Sequence, residues 1–307
     1  MAHNYGSVRT LSRSAPNYVP LVILGAGRSG TNMLRDALVA LPGFSTWNCD
    51  EINPVWRTGQ PHDAPDDFAA GDLTARARQT IRRSFDGVAR RAPGTRFVVE
   101  KTCANSLRPG FVDAALDDAR FIQIVRDGRD VVPSAMKRWR GELEVNPRAY
   151  FLAKARHTPL RELPRYGAAF FGRRLSKLFG RSDRLTKWGP IYSRLDHDPS
   201  RPLSAICAEQ WAACVDRTDE YLETLPAHRW IRVRYEDLGH APAAELRRIA
   251  DFLNAGVDEA GIRRAAQGIR GAKAGQGLLK LPPLERARAL EIMAAPLSRH
   301  GYLGETQ

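Results

Sequence analysis

The fold is decided by residues 19–41, which read VPLVILGAGRSGTNMLRDALVAL. The apolar run from Val19 to Leu24 predicts a buried strand, and residues 33–41 are apolar at helical spacing. Between them lies a loop of mostly small residues, 25–32, which we call the phosphate loop. A strand, a glycine loop and a helix form an anion site because the loop amides and the free N–H groups of the first helical turn converge. The segment therefore predicts phosphate binding at the start of an α/β domain.

The phosphate loop departs from the P-loop pattern of ordinary nucleoside triphosphatases. Gly25 and Gly30 stand where the two glycines of GxxxxGK[ST] would stand, but Thr31 takes the place of the lysine. Arg28 supplies a cation within the loop instead. The alternative is a plain turn between a strand and a helix, but an arginine and two hydroxyls would serve no purpose in such a turn.

Further apolar segments predict four more strands, at Phe44 to Asn48, Phe97 to Glu100, Phe121 to Val125 and Trp230 to Tyr235. Helical patterns alternate with these strands, and this alternation is typical of a parallel sheet covered on both faces. We therefore expect a three-layer α/β fold like that of the P-loop proteins, with a central parallel sheet of about five strands.

A second group of cationic and hydroxyl residues follows the predicted fourth strand. Arg126 comes directly after the strand, at the edge where open α/β sheets bind ligands. Ser134 and Arg138 are four residues apart on a helix predicted over 131–139, so they share one face. The group can bind a second phosphate, although a solvated helix with ordinary ion pairs is the alternative. Two phosphate sites on neighbouring strand ends indicate a nucleotide phosphorylated at both ends.

Three stretches resemble the signatures of sulfotransferases that use 3′-phosphoadenosine 5′-phosphosulfate (PAPS). They are GAGRSGTNMLRDAL at 25–38, VVEKT at 98–102 and ARFIQIVRDGRDVVPSAMKR at 119–138, and RYEDL at 234–238 is similar to a later motif of the family. The phosphate loop, with its arginine, is most similar to the corresponding loop in the tyrosylprotein, Golgi-type and bacterial branches of the family. The resemblance covers most of residues 19–139 and 205–303.

The resemblance implies a set of nucleotide contacts, with adenosine 3′,5′-bisphosphate as the product and no metal. Tyr235 is implied near the adenine, with a core tyrosine as the alternative. In the late loop, residues 271–283, either Lys273 or Gln276 takes the place over the 3′-phosphate. The full set implied or predicted for the nucleotide is Gly27, Arg28, Ser29, Gly30, Thr31, Asn32, Arg126, Ser134, Arg138, Tyr235 and Lys273.

The resemblance also implies catalytic residues. Glu51 follows the second strand, where the tyrosylprotein branch carries its glutamate base; Asp50 is a competitor, and a loop-capping role is the alternative. Lys101, at the end of the third strand, and Arg28 are expected to stabilise the leaving phosphate oxygen. A snorkelling surface lysine is the alternative for Lys101.

The chain has 307 residues and a formal net charge of +13. Between residues 137 and 194, fifteen Lys and Arg face four Asp and Glu, so this stretch alone carries +11. We expect a flexible lead at 1–18 and a single domain at 19–307 with a basic helical insertion at about 140–204. The resemblance implies a hydroxyl-bearing acceptor, and the charge indicates that this acceptor is acidic or phosphorylated, or held at a membrane surface. A carbohydrate, a lipid, a peptide tyrosine and a natural product all remain open.

Other classes of protein fit the sequence less well. An ATP-dependent P-loop kinase would need the missing lysine, and a nucleic-acid-binding protein, suggested by the pI near 10.0, would need a recognition motif. The chain has no long apolar run and no signal-peptide pattern, so we expect a cytoplasmic location, with peripheral membrane attachment left open. The resemblance implies a bacterial enzyme. Four cysteines without CxxC spacing predict neither a disulfide framework nor a zinc site.

Overall fold

A computed structural model describes residues 17–61, 63–142, 185–271 and 275–304. Five strands form one sheet in the order β2-β3-β1-β4-β5, and every neighbouring pair is parallel. The strands are β1 Val19–Leu24, β2 Phe44–Ser45, β3 Phe97–Lys101, β4 Arg120–Val125 and β5 Trp230–Arg234. The predicted parallel sheet of the P-loop-like α/β fold is confirmed.

The helices alternate with the strands along the first half of the chain and cluster after β5. In the described residues the α-helices are α1 Thr31–Val39, α2 Asn53–Trp56, α3 Ala75–Arg91, α4 Pro109–Ala115, α5 Gly128–Trp139, α6 Leu203–Leu222, α7 Tyr235–His240, α8 Pro242–Phe252, α9 Glu259–Ala266 and α10 Pro283–Arg299. Short 3-10 helices lie at Ala70–Asp72, Cys103–Leu107, Ala227–Arg229 and Gly277–Lys280.

Strand β1 lies at the centre of the sheet and feeds both hydrophobic layers. Leu21 and Ile23 pack with α1, α8 and α9 on one face, whereas Val22 and Leu24 pack with α3 and α4 on the other. All four side chains are fully buried. Because successive strand residues point to opposite faces, a run that is apolar throughout requires helices on both sides.

A third cluster packs α5, α6 and α10 around the end of β4. Trp211 of α6 is buried here and donates a hydrogen bond from Nε1 to the Arg126 carbonyl, 3.1 Å away. Cys207 and Cys214, seven residues apart on α6, are buried in the same cluster. The turn after β4, which carries one of the predicted phosphate motifs, is thereby fixed against the core.

Three element boundaries differ from the sequence prediction. Strand β2 ends at Ser45 because Trp47 leaves the sheet edge and bonds Ser84 of α3. Helix α5 starts at Gly128 rather than residue 131 because the Asp127 carboxylate accepts a hydrogen bond from the Arg129 amide and caps it. Strand β5 ends at Arg234, one residue early, and the next residue opens α7.

The basic insertion and the lead lie mostly outside the described residues. The chain is described up to residue 142 and again from residue 185, where the Leu185 amide donates a 2.7 Å hydrogen bond to the Trp139 carbonyl. The chain therefore returns to the end of α5, close to where it left. Within the described ranges, no helix has the length and apolarity needed to cross a membrane.

Candidate active site

The phosphate loop is packed so tightly that two of its glycines have no room for a side chain. A Cβ on Gly25 would lie 2.8 Å from the Ile124 carbonyl oxygen, and one on Gly30 would lie 2.3 Å from the Tyr235 ring. Gly30 also has a φ of 85° at the N-cap of α1. The Gly25 amide donates to Ser106 Oγ at 2.7 Å, which ties the loop to the residues after β3.

The phosphate loop fits an anionic group. Ser29 is 1% exposed, and within the described part of the chain its Oγ has no hydrogen-bond partner. A buried hydroxyl without a partner costs free energy unless a ligand or water satisfies it. The first turn of α1 adds backbone N–H groups that have no acceptor inside the helix. The loop can therefore bind a phosphate or sulfate group.

The two predicted phosphate motifs are in direct contact. Arg28 Nε donates to Ser134 Oγ at 2.9 Å, and Arg126 Nη1 donates to the Arg28 carbonyl at 3.2 Å. The Arg126 guanidinium also lies 4.3 Å from the centre of the Tyr235 ring, a cation–π contact. Tyr235 in turn packs on Gly30. The structure thus brings these five predicted residues together.

Two other residues of the predicted set, Arg138 and Lys273, are not among these five. Arg138 lies in the last turn of α5 and donates to the Glu142 carbonyl at 3.1 Å. Lys273 lies outside the described residues. The neighbouring part of the late loop is bound to the start of α5, where Asp130 accepts hydrogen bonds from the Gly275 and Gly277 amides at 2.7 and 2.8 Å.

The predicted catalytic residues form a charged cluster beside the phosphate loop. Lys101 Nζ lies 3.1 Å from Glu51 Oε1 and 3.3 Å from Asp50 Oδ1. The Cys103 amide also donates to Glu51 Oε1, at 3.3 Å. The Lys101 side chain is only 2% exposed, which excludes the snorkelling surface lysine. Burial lowers the pKa of Lys101, but the charges of Glu51 and Asp50 outweigh burial, so the pKa is raised and the amine stays protonated.

A buried carboxyl group supports this cluster from below. Glu100 accepts hydrogen bonds from Thr102 Oγ1 at 2.5 Å and Asn105 Nδ2 at 2.9 Å, and the Ile52 amide donates to Thr102 Oγ1 at 3.2 Å. Burial raises the pKa of Glu100 to about 7. The end of β3 therefore fixes the turn that carries Asp50 and Glu51.

Sequence reasoning missed Arg35, Thr102 and Asp130 as parts of this site. Arg35 follows Thr31 by one helical turn, and its Nη1 lies 3.1 Å from Asp50 Oδ1. Each of these polar residues lies within one turn of a predicted motif, and this closeness was the only sign of a role in the site. Polar residues on solvated helix faces are found at the same spacing, so closeness alone did not identify them. Within the described ranges, no three His, Cys, Asp or Glu side chains are grouped to hold a metal ion.

The parallel sheet, with helices on both faces and a glycine loop between β1 and α1, defines a P-loop-like α/β fold. The family model described as the sulfotransferase family matches residues 20–174 and 182–259. The chain belongs to the sulfotransferase family and is an enzyme of sulfuryl transfer.

Two solved structures with TM-scores above 0.5 share the fold at low sequence identity. A sulfotransferase from Mycobacterium avium is 15% identical with a TM-score of 0.54, and the match covers 93% of this chain and 77% of that one. A sulfotransferase from Mycobacterium tuberculosis H37Rv is 12% identical with a TM-score of 0.52, covering 92% and 78%. A mouse sulfotransferase complexed with PAP is 14% identical with a TM-score of 0.47, covering 91% and 84%. No curated protein matches the sequence.

Proposed function

We propose that this sulfotransferase uses PAPS as its donor and transfers the sulfuryl group to a hydroxyl group, with Glu51 as the general base. The observation that carries the proposal is the hydrogen bond from Arg28 Nε to Ser134 Oγ, 2.9 Å long. It joins the phosphate loop, which follows β1, to the second phosphate motif, which follows β4, the neighbour of β1 in the sheet. Such a pair of sites suits a nucleotide with phosphates at both its 3′ and 5′ positions.

Each motif has a role toward the donor, which supplies an activated sulfuryl group when it is bound. Arg28, Ser29 and Thr31, with the loop amides from Gly27 to Asn32, would bind the 5′-phosphosulfate. Arg126 and Ser134 would bind the 3′-phosphate, with Arg138 and Lys273 as further cations. Tyr235 would contact the adenosine. No metal has a part in this proposal.

Glu51 is a better candidate for the base than Asp50. Asp50 Oδ1 faces two cations, Lys101 at 3.3 Å and Arg35 at 3.1 Å, whereas Glu51 Oε1 faces Lys101 and the Cys103 amide. Asp50 is bound by Arg35 as well as by Lys101, and Glu51 occupies the position where the resemblance places the base. Glu51 would accept the proton of the acceptor hydroxyl while Lys101 and Arg28 stabilise the charge that develops on the leaving phosphate oxygen.

The basic stretch at 137–194 supports an acidic or phosphorylated acceptor, or one presented at a membrane surface. We retain residues 19–307 as one catalytic domain with an insertion at about 140–204, because the Leu185 amide returns to the Trp139 carbonyl. A cytoplasmic location is part of the same proposal.

Calorimetry combined with labelled transfer tests the proposal. We expect adenosine 3′,5′-bisphosphate to bind and ATP not to bind, because Ser134 and Arg126 recognise a 3′-phosphate. Radiolabelled PAPS incubated with a bacterial extract should label an acceptor. Glu51→Gln should bind the bisphosphate at least as tightly as the parent enzyme, because a negative charge beside Lys101 is removed, and it should lose transfer by about 100-fold or more, on the order of a general base's contribution. Preferential binding of ATP would overturn the donor, and an active Glu51→Gln enzyme would overturn the base.

A further inference from the structure

Arg35 lies on α1, one turn beyond the phosphate loop, and makes contacts that the proposed chemistry does not yet use. Its Nη1 donates to both Asp50 Oδ1 at 3.1 Å and the Asp50 carbonyl at 3.2 Å. Its Nε and Nη2 bond Asp36 at 2.9 and 2.7 Å. The Arg35 side chain is 14% exposed. Its bonds to Asp50 connect the helix that begins at the phosphate loop directly to the turn that carries Glu51.

The charges in this cluster alternate in sign. Arg35 faces Asp50, Asp50 faces Lys101, and Lys101 faces Glu51. Asp36, the other partner of Arg35, is 67% exposed, so water screens its charge. Without Arg35, the Lys101 ammonium would be the one cation that the described residues place within ion-pair distance of Asp50, and the same ammonium also faces Glu51. Its field would then be largely cancelled at the place where an anionic group has to bind.

We propose that Arg35 is a positioning residue that neutralises Asp50, so that the charge of Lys101 stays available to Glu51 and to the 5′-phosphosulfate end of the donor. This inference rests on the proposed donor site. It assigns opposite effects to Arg35 and Asp50, since one removes and the other supplies excess negative charge beside the phosphate loop.

Four proteins test the proposal by calorimetric titration with adenosine 3′,5′-bisphosphate: the parent enzyme, Arg35→Gln, Asp50→Asn and the double variant. We expect Arg35→Gln to bind about tenfold more weakly and Asp50→Asn severalfold more tightly, as one partly buried charge near an anion requires. The double variant should return to within about threefold of the parent enzyme. A role limited to packing predicts no such rescue.

Two controls accompany the cycle. Arg83→Gln removes an exposed cation from α3 and should leave the affinity unchanged. Arg35→Lys keeps the charge and should bind the bisphosphate within about threefold of the parent enzyme. It serves as the test variant if Arg35→Gln does not fold.

The proposal is overturned if Arg35→Gln binds as well as the parent enzyme, or if the double variant binds as weakly as Arg35→Gln. If the parent enzyme itself does not bind the bisphosphate, the proposed donor fails and this inference fails with it. If the parent enzyme binds and only the cycle fails, the donor assignment stands.

Discussion

Gly30 is the residue at which the backbone and the side chains of the phosphate loop constrain each other most strongly. Its φ of 85° is a conformation that residues with a Cβ adopt at a cost, and the Tyr235 ring occupies the space where a Cβ would be. Gly94 has the same φ of 85°, but nothing lies within 4 Å of its Cβ position. The two glycines therefore separate backbone strain from steric exclusion.

We predict that Gly94→Ala lowers the free energy of unfolding by about 1 kcal/mol, the cost of a left-handed alanine. Gly30→Ala should cost about 3 kcal/mol, because the Tyr235 ring must also move. It should also weaken bisphosphate binding, because the same ring contacts Arg126. Urea denaturation and calorimetry measure both effects. Equal losses for the two variants would show that Tyr235 is not packed on the loop.

At the scale of elements, the carboxylate of Asp130 fastens the late loop to α5. Its two oxygens accept hydrogen bonds from the Gly275 and Gly277 amides, with lengths of 2.7 and 2.8 Å. A Cβ on Gly277 would lie 2.5 Å from the Arg129 carbonyl oxygen, so the loop runs directly over the helix start. This contact places residues 275–277 of the late loop next to the start of α5, which also carries Ser134.

We predict that Asp130→Ala raises the hydrogen-exchange rates of the Gly275 and Gly277 amides by about tenfold or more, since each loses a charge-assisted hydrogen bond. Mass spectrometry of peptides that cover 275–281 gives the rates. Asp117→Ala, which removes an aspartate side chain that is 75% exposed, is the matched control and should leave these peptides unchanged. Unchanged exchange in Asp130→Ala would contradict the anchoring role.

Elements were more predictable from the sequence than the contacts between their side chains. The strands at 19–24 and 121–125 are short apolar runs, so local periodicity was sufficient to predict them. The pairing of Arg35 with Asp50 and of Glu100 with Thr102 depends on how α1 and the end of β3 meet, which no local pattern encodes. The predicted start of α5, residue 131, lies three residues after the observed start at Gly128, because the Asp127 side chain caps the helix there.

At the scale of the whole molecule, Asp219 of α6 joins four parts of the chain. Its carboxylate accepts hydrogen bonds from Gln123 of β4 at 2.6 Å and Arg232 of β5 at 3.0 Å. It also accepts bonds from Arg299 of α10 at 2.8 Å and His300 at 2.9 Å. Burial alone would raise the pKa of Asp219, but the bonds from His300, Gln123 and Arg299 hold it well below its usual value.

The direction of this shift fixes how stability depends on pH. Because the folded pKa of Asp219 is depressed, its contribution is complete above the unfolded pKa of about 4 and is lost as the pH falls below it. We predict that Asp219→Asn lowers the free energy of unfolding by about 3 kcal/mol at pH 7, and that this difference shrinks below about pH 4.

Asp216→Asn is the control, because Asp216 shares Arg299 at 2.9 Å but its side chain is 35% exposed. It should cost less than about 1 kcal/mol. Denaturation at a series of pH values measures both variants. A difference for Asp219→Asn that stays constant with pH would contradict the assignment.

The return of the chain to the end of α5 has an evolutionary consequence. The Leu185 amide bonds the Trp139 carbonyl, so the two ends of the basic stretch are held at one place on the frame. Changing the length of a connection whose ends are already fixed costs little, since closure entropy grows only with the logarithm of length. Descendants of this enzyme could therefore exchange that stretch for another of different length while Arg28 and Lys101 stay in place.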